Sequence, residues 1–351
     1  MLSRKENYLR VVRFERPDYI PMNAVINMSC YGAYPHDQLF DLMEAHKLLF
    51  PGFVRPQGEF HPDYSPKDLK EHPFTDDFGC VWHTPMDGMT GVVTEHPLAD
   101  WEDFDTYQAP DPAVCMGIGP IDWEEEAQRI RRGKENGELI WAGLRHGHTF
   151  LQLSDIRGYQ NLLMDMMDEE ERLPELIKLV EDFNFEIVRR YTDLGVDVFN
   201  FGEDLGMQVG PMLSPQLFRK YIKPSYRRMM QYAREHGAMI YMHSDGDIRT
   251  LVEDLVDGGV QIVNLQDLVN GIDWIAENLA GKYCIDLDID RQDVTVYGTP
   301  QQIDALIWEE VEKIGSRAGG LAMTYGMYPG TPLENANAVF DAMEKYMFYY
   351  D

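Results

Sequence analysis

The segment His243-Ser244-Asp245-Gly246-Asp247 joins an imidazole to carboxylates directly after an apolar stretch at residues 238–242. A short apolar stretch of this kind predicts a buried strand. Because side chains alternate along a strand, His243 and Asp245 point to the same side if the strand continues. Such a pair can bind a divalent metal ion, or it can fix the imidazole tautomer for proton transfer. His243 is therefore the first candidate for a catalytic residue.

Polar residues also follow the other apolar stretches in the second half of the chain, where each predicted strand ends. Carboxylates, imidazoles and a phenol brought to one edge by neighbouring strands indicate a site rather than a core. Structural roles stay open: His243 could be a core histidine, Asp247 a helix cap, and Asp204 an acceptor for loop amides. The strand-end residues are Arg145, His146, His148, Glu203, Asp204, Gln266, Asp267, Asp286, Asp288 and Tyr325.

The elements that must position these residues alternate between strand and helix. This alternation predicts a parallel sheet. The strands are short, apolar and near eight in number, and no GxGxxG follows the first strand, so we expect a (β/α)8 TIM barrel rather than an open dinucleotide-binding sheet. Predicted strands lie at 20–26, 139–144, 196–201, 238–242, 262–265, 283–287 and 321–324, and predicted helices at 3–14, 123–136, 174–194, 215–236, 248–257, 272–279, 300–314 and 332–346.

Residues 28–120 are rich in Pro, Gly, His and aromatic residues. We interpret them as an irregular N-terminal elaboration over the barrel mouth, with hairpin strands in FGCVWHTP and GVVTEHPL. Trp82, Tyr31 and Tyr34 in this segment could line a pocket or pack the elaboration. Residues 1–351 are expected to form a single domain.

The composition limits the classes of partner. The 351 residues include 60 acidic and 31 basic side chains, giving a net charge of −29, which disfavours nucleic acid and anionic membrane surfaces. No apolar run approaches the roughly 20 residues of a membrane span, and the N-terminus lacks the apolar core of a signal peptide. The four cysteines form no CxxC pair, which disfavours a disulfide framework. We therefore expect a cytoplasmic enzyme.

Several segments resemble the uroporphyrinogen decarboxylase superfamily, in order and at matching spacing from Val81 to the C-terminus. The resemblance implies a (β/α)8 barrel. The closing PGTPLENANAVFDAM is the most specific match. The others are EHPLADWEDFDTY with the following PDP, VFNFGEDLGMQVGPMLSPQLFRKYIKPSYRRMM, AMIYMHSDGDIRTLVEDLVDGGVQIVNLQD, and YGTPQQIDALIWEEVEKIG with LAMTYGMYPGTPLENANAVFDAMEKY.

The superfamily has two main branches, and the resemblance favours the methyltransferases. True uroporphyrinogen decarboxylases carry an arginine-rich motif near the N-terminus, whereas MNAVINMSCYGAYPHD after the first strand here has no arginine. Many of the methyltransferases hold zinc through an H-x-C motif and a second cysteine before TPLEN. In this chain His243 matches the histidine, while Asp245 and Tyr325 replace the two cysteines. A thiol-activating zinc site is therefore not intact, although His243, Asp245 and Glu203 form a hard ligand set for zinc or another divalent ion.

The favoured function is transfer of a methyl group from a small donor, such as an aryl methyl ether, to a corrinoid (cobalamin) carried by a partner protein. Some branch members perform this step in anaerobic O-demethylase systems, and homodimers are usual in related families. His243, Glu203 and Tyr325 would be catalytic, because the ether oxygen needs an acid or a Lewis acid. The alternatives are a decarboxylase acting on a small or tetrapyrrole carboxylate, and a non-catalytic relative. Predicted substrate-binding residues are Gln208, Asp204, Trp82, His148 and Asp288.

Overall fold

The computed structural model describes residues 2–350. Its strands are β1 Met22–Ile26, β2 Phe74–Thr75, β3 Val81–His83, β4 Val92–Glu95, β5 Trp141–Gly143, β6 Val198–Gly202, β7 Met239–Ser244, β8 Ile262–Gln266, β9 Cys284–Asp288 and β10 Leu321–Met327.

Two of the helices begin at capping residues that the sequence provides. Ser3 accepts a hydrogen bond from the Glu6 amide at the start of α1, and Thr299 forms a capping box with Gln302 at the start of α14. The helices are α1 Arg4–Arg13, α2 Cys30–Ala33, α3 His36–Ala45, α4 Trp123–Glu135, α5 Phe150–Arg157, α6 Tyr159–Asp168, α7 Leu173–Asp193, α8 Pro215–Leu217, α9 Lys223–Glu235, α10 Val252–Gly258, α11 Asp267–Asn270, α12 Ile272–Asn278, α13 Val294–Tyr297, α14 Pro300–Ile314 and α15 Leu333–Tyr346, with 3-10 turns at Pro66–Asp68 and Trp101–Thr106.

The chain divides into two compact units. Unit one comprises residues 2–73, His83–Gly91 and 265–350, and unit two comprises Phe74–Trp82 and Val92–Asn264. In unit one, β10 lies parallel to both β1 and β9. In unit two, β6 lies parallel to both β5 and β7. Parallel strands joined through helices confirm the predicted TIM-barrel-type α/β fold.

The register in unit two puts its polar strand ends at one level. Gly143 pairs with Asn200, Asn200 with Tyr241, and Gly202 with His243. The apolar residues between them face the helices: the Phe199 ring lies 6.1 Å from Tyr191 of α7. The residues that follow β5, β6 and β7 therefore emerge at the same edge.

Some segments differ from the sequence expectation. Residues 28–120, taken as irregular, contain α2 and α3, where buried Leu39, Phe40, Leu42 and Met43 give a helical apolar side. The two expected hairpin strands are present as β3 and β4, which are neighbours in a three-stranded sheet, and the sheet gains β2, which was not expected. The helix expected over 215–236 contains a π-helical turn at Phe218–Ile222, immediately before Lys223-Pro224. Proline lacks the N–H that a continuous helix needs, which explains the interruption.

Asp247 does not cap the following helix. The cap position of α10 is Leu251, whereas the Asp247 carboxylate binds the Arg249 guanidinium at 2.7 Å and accepts the Gly210 amide at 3.2 Å. It therefore ties the loop after β7 to the loop after β6. The four cysteines are buried free thiols, as the sequence indicated. Within residues 2–350, no helix is long and apolar enough to cross a membrane.

Two glycines let the loops after β6 and β7 touch backbone to backbone. A Cβ on Gly206 would lie 2.5 Å from the Gly246 carbonyl carbon, and one on Gly246 would lie 2.2 Å from that of Gly206. The Gly206 amide donates to the Asp245 carbonyl at 3.2 Å, and the Asp247 amide donates to the Met207 carbonyl at 2.7 Å. Only glycine permits this approach.

We predict that Gly206→Ala lowers the free energy of unfolding by about 1–3 kcal/mol, because the added methyl group forces the two backbones apart. Chemical denaturation measures the change. Gly258→Ala is the control, since a Cβ there meets open space. Equal stability of the two variants would show that the loop contact is not tight.

Candidate functional site

Three successive strands of unit two deliver a cluster of His146, Asp204 and His243. The Asp204 Oδ1 atom lies 3.3 Å from His146 Nε2 and 3.5 Å from His243 Nε2. One ligand atom from each residue lies within 4.8 Å of the other two. The predicted convergence of strand-end residues is therefore present for these three.

Asp245 flanks the cluster. Its Oδ1 lies 3.7 Å from His243 Nε2, which matches the expectation that the two side chains share one side of the strand. The Asp245 amide donates to Asp204 Oδ1 at 3.0 Å. The backbone of one aspartate thus holds the carboxylate of the other.

Asn264 fixes the tautomer of His243. His243 Nδ1 lies 2.5 Å from Asn264 Oδ1, and an amide oxygen can only accept, so Nδ1 carries the proton. The Nε2 atom then faces Asp204 and Asp245. A lone pair facing two carboxylates is unfavourable, so this position calls for a positive charge, either a second proton or a metal ion. Metal-binding histidines generally have such an oxygen partner on the other ring nitrogen.

Asp204 stays ionised in this environment. Burial alone raises the pKa of Asp204, but hydrogen bonds and charge interactions with His146 and His243 outweigh burial and hold that pKa well below its usual value. The site therefore presents a fixed negative charge between two imidazoles.

The donor set fits a divalent metal ion. Two imidazole nitrogens and a carboxylate oxygen are borderline to hard ligands, and three protein ligands are typical of catalytic zinc sites. Their side chains keep partial exposure, 53% for His146, 31% for Asp204 and 22% for His243. A small molecule can therefore reach them.

Glu203 does not belong to this ligand set, which corrects the sequence prediction. Its side chain is completely buried, and Oε1 accepts the Thr149 and Leu151 amides at 2.8 and 2.9 Å. Its Oε2 accepts the Tyr226 hydroxyl. With both oxygens engaged below the strand ends, Glu203 holds the loop that carries His146 rather than a metal ion or substrate.

His148 and Trp82 are also structural, contrary to their predicted substrate-binding roles. His148 has no exposed surface, its Nδ1 lies 2.6 Å from the Thr149 hydroxyl, and burial lowers its pKa to about 3. The Trp82 indole donates to Asp76 at 3.0 Å beneath the Arg145 guanidinium. Both side chains pack inside unit two.

The surroundings of the other predicted residues are as follows. Gln208 is exposed on the loop after β6. In unit one, Tyr325 is fully buried with its ring 6.1 Å from Phe340, and burial raises its pKa. Asp288 accepts a 2.8 Å hydrogen bond from Arg291. The substrate or catalytic roles of these three stay predictions.

Sequence reasoning undervalued two members of the site. The sequence places His146 only among the strand-end residues, and the structure puts its Nε2 atom 3.3 Å from Asp204 Oδ1. Asn264 was overlooked, although a polar residue inside the apolar run Ile262-Val263-Asn264-Leu265 is itself a signal. It is 2% exposed, and its Oδ1 lies within hydrogen-bond distance of His243 Nδ1.

Fold and site together define an enzyme built on an α/β barrel with a polar cluster at its strand ends. A family model described as uroporphyrinogen decarboxylase (URO-D) matches residues 3–346. The chain therefore belongs to this family.

The curated relatives and one solved structure that resemble this chain carry two different names. A uroporphyrinogen decarboxylase of Prochlorococcus marinus strain MIT 9211 is 24% identical to this chain, over 74% of this chain and 75% of the relative. A uroporphyrinogen decarboxylase of strain SARG is 26% identical, over 74% of each protein. A methyltransferase from Methanosarcina mazei superposes with a TM-score of 0.66 at 19% identity, covering 97% of this chain and 98% of that one. The structural likeness establishes a shared fold.

We predict that Glu203→Gln makes stability less dependent on pH. Burial raises the pKa of Glu203 to about 7, so its protonated form favours folding, and this stabilisation is lost as pH rises from about 4.5 through about 7. Relative to the parent, the glutamine variant should gain about 3 kcal/mol in unfolding free energy between pH 4.5 and 8.

Urea unfolding across that pH range measures the difference, with the exposed Glu175→Gln as control. A constant difference between Glu203→Gln and the parent would show that Glu203 does not change protonation on folding.

Proposed function

We propose that this protein is a methyltransferase that moves a methyl group from a small methylated donor to a corrinoid held by a partner protein. The observation that carries the proposal is the cluster of His146, Asp204 and His243 with its oriented imidazole. The fold shared with a methyltransferase supports the class of reaction.

The chain's own residues supply a site for an oxygen-bound methyl group. His146, Asp204 and His243 would hold a divalent ion, which would supply Lewis-acid chemistry to the donor oxygen and so improve a poor leaving group. Asn264 keeps His243 in one tautomer, and Asp204 keeps its negative charge. Asp245, 39% exposed, lies 3.7 Å from His243 Nε2, where it would relay a proton from solvent to the departing oxygen.

This ligand set argues against activation of a thiol. Thiolate chemistry on zinc in the related methyltransferases relies on cysteine ligands, and Asp245 stands at one of those positions. Carboxylate and imidazole ligands suit oxygen substrates better than sulfur. An ether or similar oxygen donor is therefore favoured over a thiol.

Decarboxylation is the second candidate, because the curated relatives carry that name. A substrate with many carboxylates needs cationic side chains that are available to it. Arg145, which follows β5, is 7% exposed and is already bound to Asp76 at 3.2 Å and Gln152 at 2.5 Å. The adjacent Asp204 and Asp245 would repel such a substrate.

We predict that the purified protein binds one divalent ion, and that His146→Ala and His243→Ala each lose it together with methyl transfer. Removal of one ligand from a three-ligand site leaves too few donors. Elemental analysis measures the ion content. The absorbance change of cob(I)alamin on methylation measures methyl transfer from methoxylated donors.

The exposed His61→Ala is the control and should retain both properties. Full ion content in His243→Ala would contradict the site. Release of CO2 from uroporphyrinogen, with no methylation of cob(I)alamin, would favour the decarboxylase.

We further predict that Asn264→Leu weakens metal affinity about 10- to 100-fold while keeping the ion's stoichiometry at saturation, because the imidazole loses its oxygen partner. Competition with a chromogenic chelator measures the affinity. The exposed Asn278→Leu provides the comparison. Unchanged affinity in Asn264→Leu would show that the histidine orientation does not depend on this amide.

A further inference from the structure

A pair of carboxyl groups lies in the interior of unit one. Asp267 follows β8 directly and is 1% exposed, and Glu310 lies on α14 with no exposed surface. The two side chains are in hydrogen-bond contact. Because two ionised carboxylates in contact repel each other strongly when they are buried, one of the pair must hold a proton.

The neighbouring backbone decides which member holds the proton. Asp267 Oδ1 accepts the Leu268 amide at 2.5 Å, and Oδ2 accepts the Asp290 amide at 2.9 Å. Neither carboxyl oxygen of Glu310 accepts a hydrogen bond from a residue that the structure describes. Backbone amides stabilise the ionised form of a carboxyl group, whereas burial without donors favours its neutral form. Asp267 is therefore the carboxylate, and the Glu310 carboxyl group donates its proton to it.

The charged groups around Glu310 favour a proton there. Three carboxyl groups, in the loops after β8 and β9 and on α14, interact with it: Asp267, Asp290 and Glu309. The lysines of α14 and α15 have other partners, Lys313 with Glu309 and Asp273, and Lys345 with Asp304. Burial and the adjacent carboxylates raise the pKa of Glu310 well above its ordinary value.

The Asp267 carboxylate in turn anchors the loop after β9. Its Oδ2 holds the Asp290 amide, and the Asp290 carboxylate accepts the Thr295 amide at 3.0 Å. The Thr295 carbonyl accepts the Asn335 amide of α15 at 3.2 Å. A continuous series of hydrogen bonds thus runs from Glu310 through this loop to the start of α15.

We propose that the proton on Glu310 is a pH-sensitive latch for the loop after β9, residues 289–293. While Glu310 is protonated, it donates to Asp267, which keeps both of its oxygens on the backbone amides that it anchors. When alkaline conditions remove the proton, two carboxylates face each other in the interior, and repulsion moves Asp267 away from the Asp290 amide. The loop is then released.

The latch links alkaline pH to the strand ends of unit one. The released loop carries Arg291, whose guanidinium binds Asp288 at the end of β9 at 2.8 Å. The proton's contribution to stability is complete below the ordinary Glu310 pKa of 4.5 and is lost as the pH rises through the raised pKa. The inference concerns stability and loop order, so it does not depend on the proposed function.

Glu310→Gln tests the latch, because its neutral amide can donate to Asp267 at every pH. In urea unfolding, the parent's unfolding equilibrium constant should rise relative to that of the variant by about tenfold per pH unit between about pH 5 and the pKa of Glu310, since unfolding releases one proton. The exposed Glu312→Gln, on the same helix, is the control and should follow the parent.

Hydrogen exchange of residues 289–298 measures the loop itself. Compared at equal pH, the parent and Glu310→Gln should exchange alike at about pH 6. At the highest pH at which the parent stays folded, the parent's loop should exchange faster than that of the variant. Glu310→Met is a second neutral variant, which should be less stable than Glu310→Gln but should also keep the loop protected at alkaline pH.

Two results would overturn the inference. One is a stability difference between the parent and Glu310→Gln that does not change with pH. The other is loss of loop protection at the same pH in the parent and in the neutral variants. If neither neutral variant folds, the parent alone decides: protection of residues 289–298 must fall at a lower pH than protection of α7, and simultaneous loss would contradict the latch.

Discussion

The charge of Asp204 is the constraint on which the site depends. A carboxylate taken partly out of water needs positive or polar partners. Here its Oδ1 receives the Asp245 amide and faces two imidazole nitrogens. The neighbouring strands must therefore end at one level, so that β5 contributes one histidine and β7 the other.

Two sets of contacts around the cluster hold the segments that carry its residues. Beneath the cluster, Glu203 accepts two amides from the start of α5 and the hydroxyl of Tyr226, fixing the segment that follows His146. Above it, Gly206 and Gly246 bring the loops after β6 and β7 into backbone contact. Glu203 is therefore a positioning group, whereas its neighbour in sequence, Asp204, faces the two imidazoles.

The sequence predicted where the strands lie along the chain and that polar residues follow them, because both predictions rest on periodicity. Apolar runs mark strands, and in parallel barrels the residue after each run reaches the functional edge. It could not distinguish Glu203 from Asp204, which are adjacent and chemically alike, because alternation along the strand decides which one turns inward. Helices α5 and α6 were overlooked since they follow Thr149 and Gly158 without an obvious break in composition.

An asparagine inside an apolar strand indicates a specific hydrogen bond, whereas a charged residue at a strand end is common without one. Asn264 and Asn200 both sit where an aliphatic residue would pack well, and each costs desolvation unless its amide is used. Asn264 uses it to orient His243. The desolvation of Asn264 is thus offset by a hydrogen bond that also orients a candidate metal ligand.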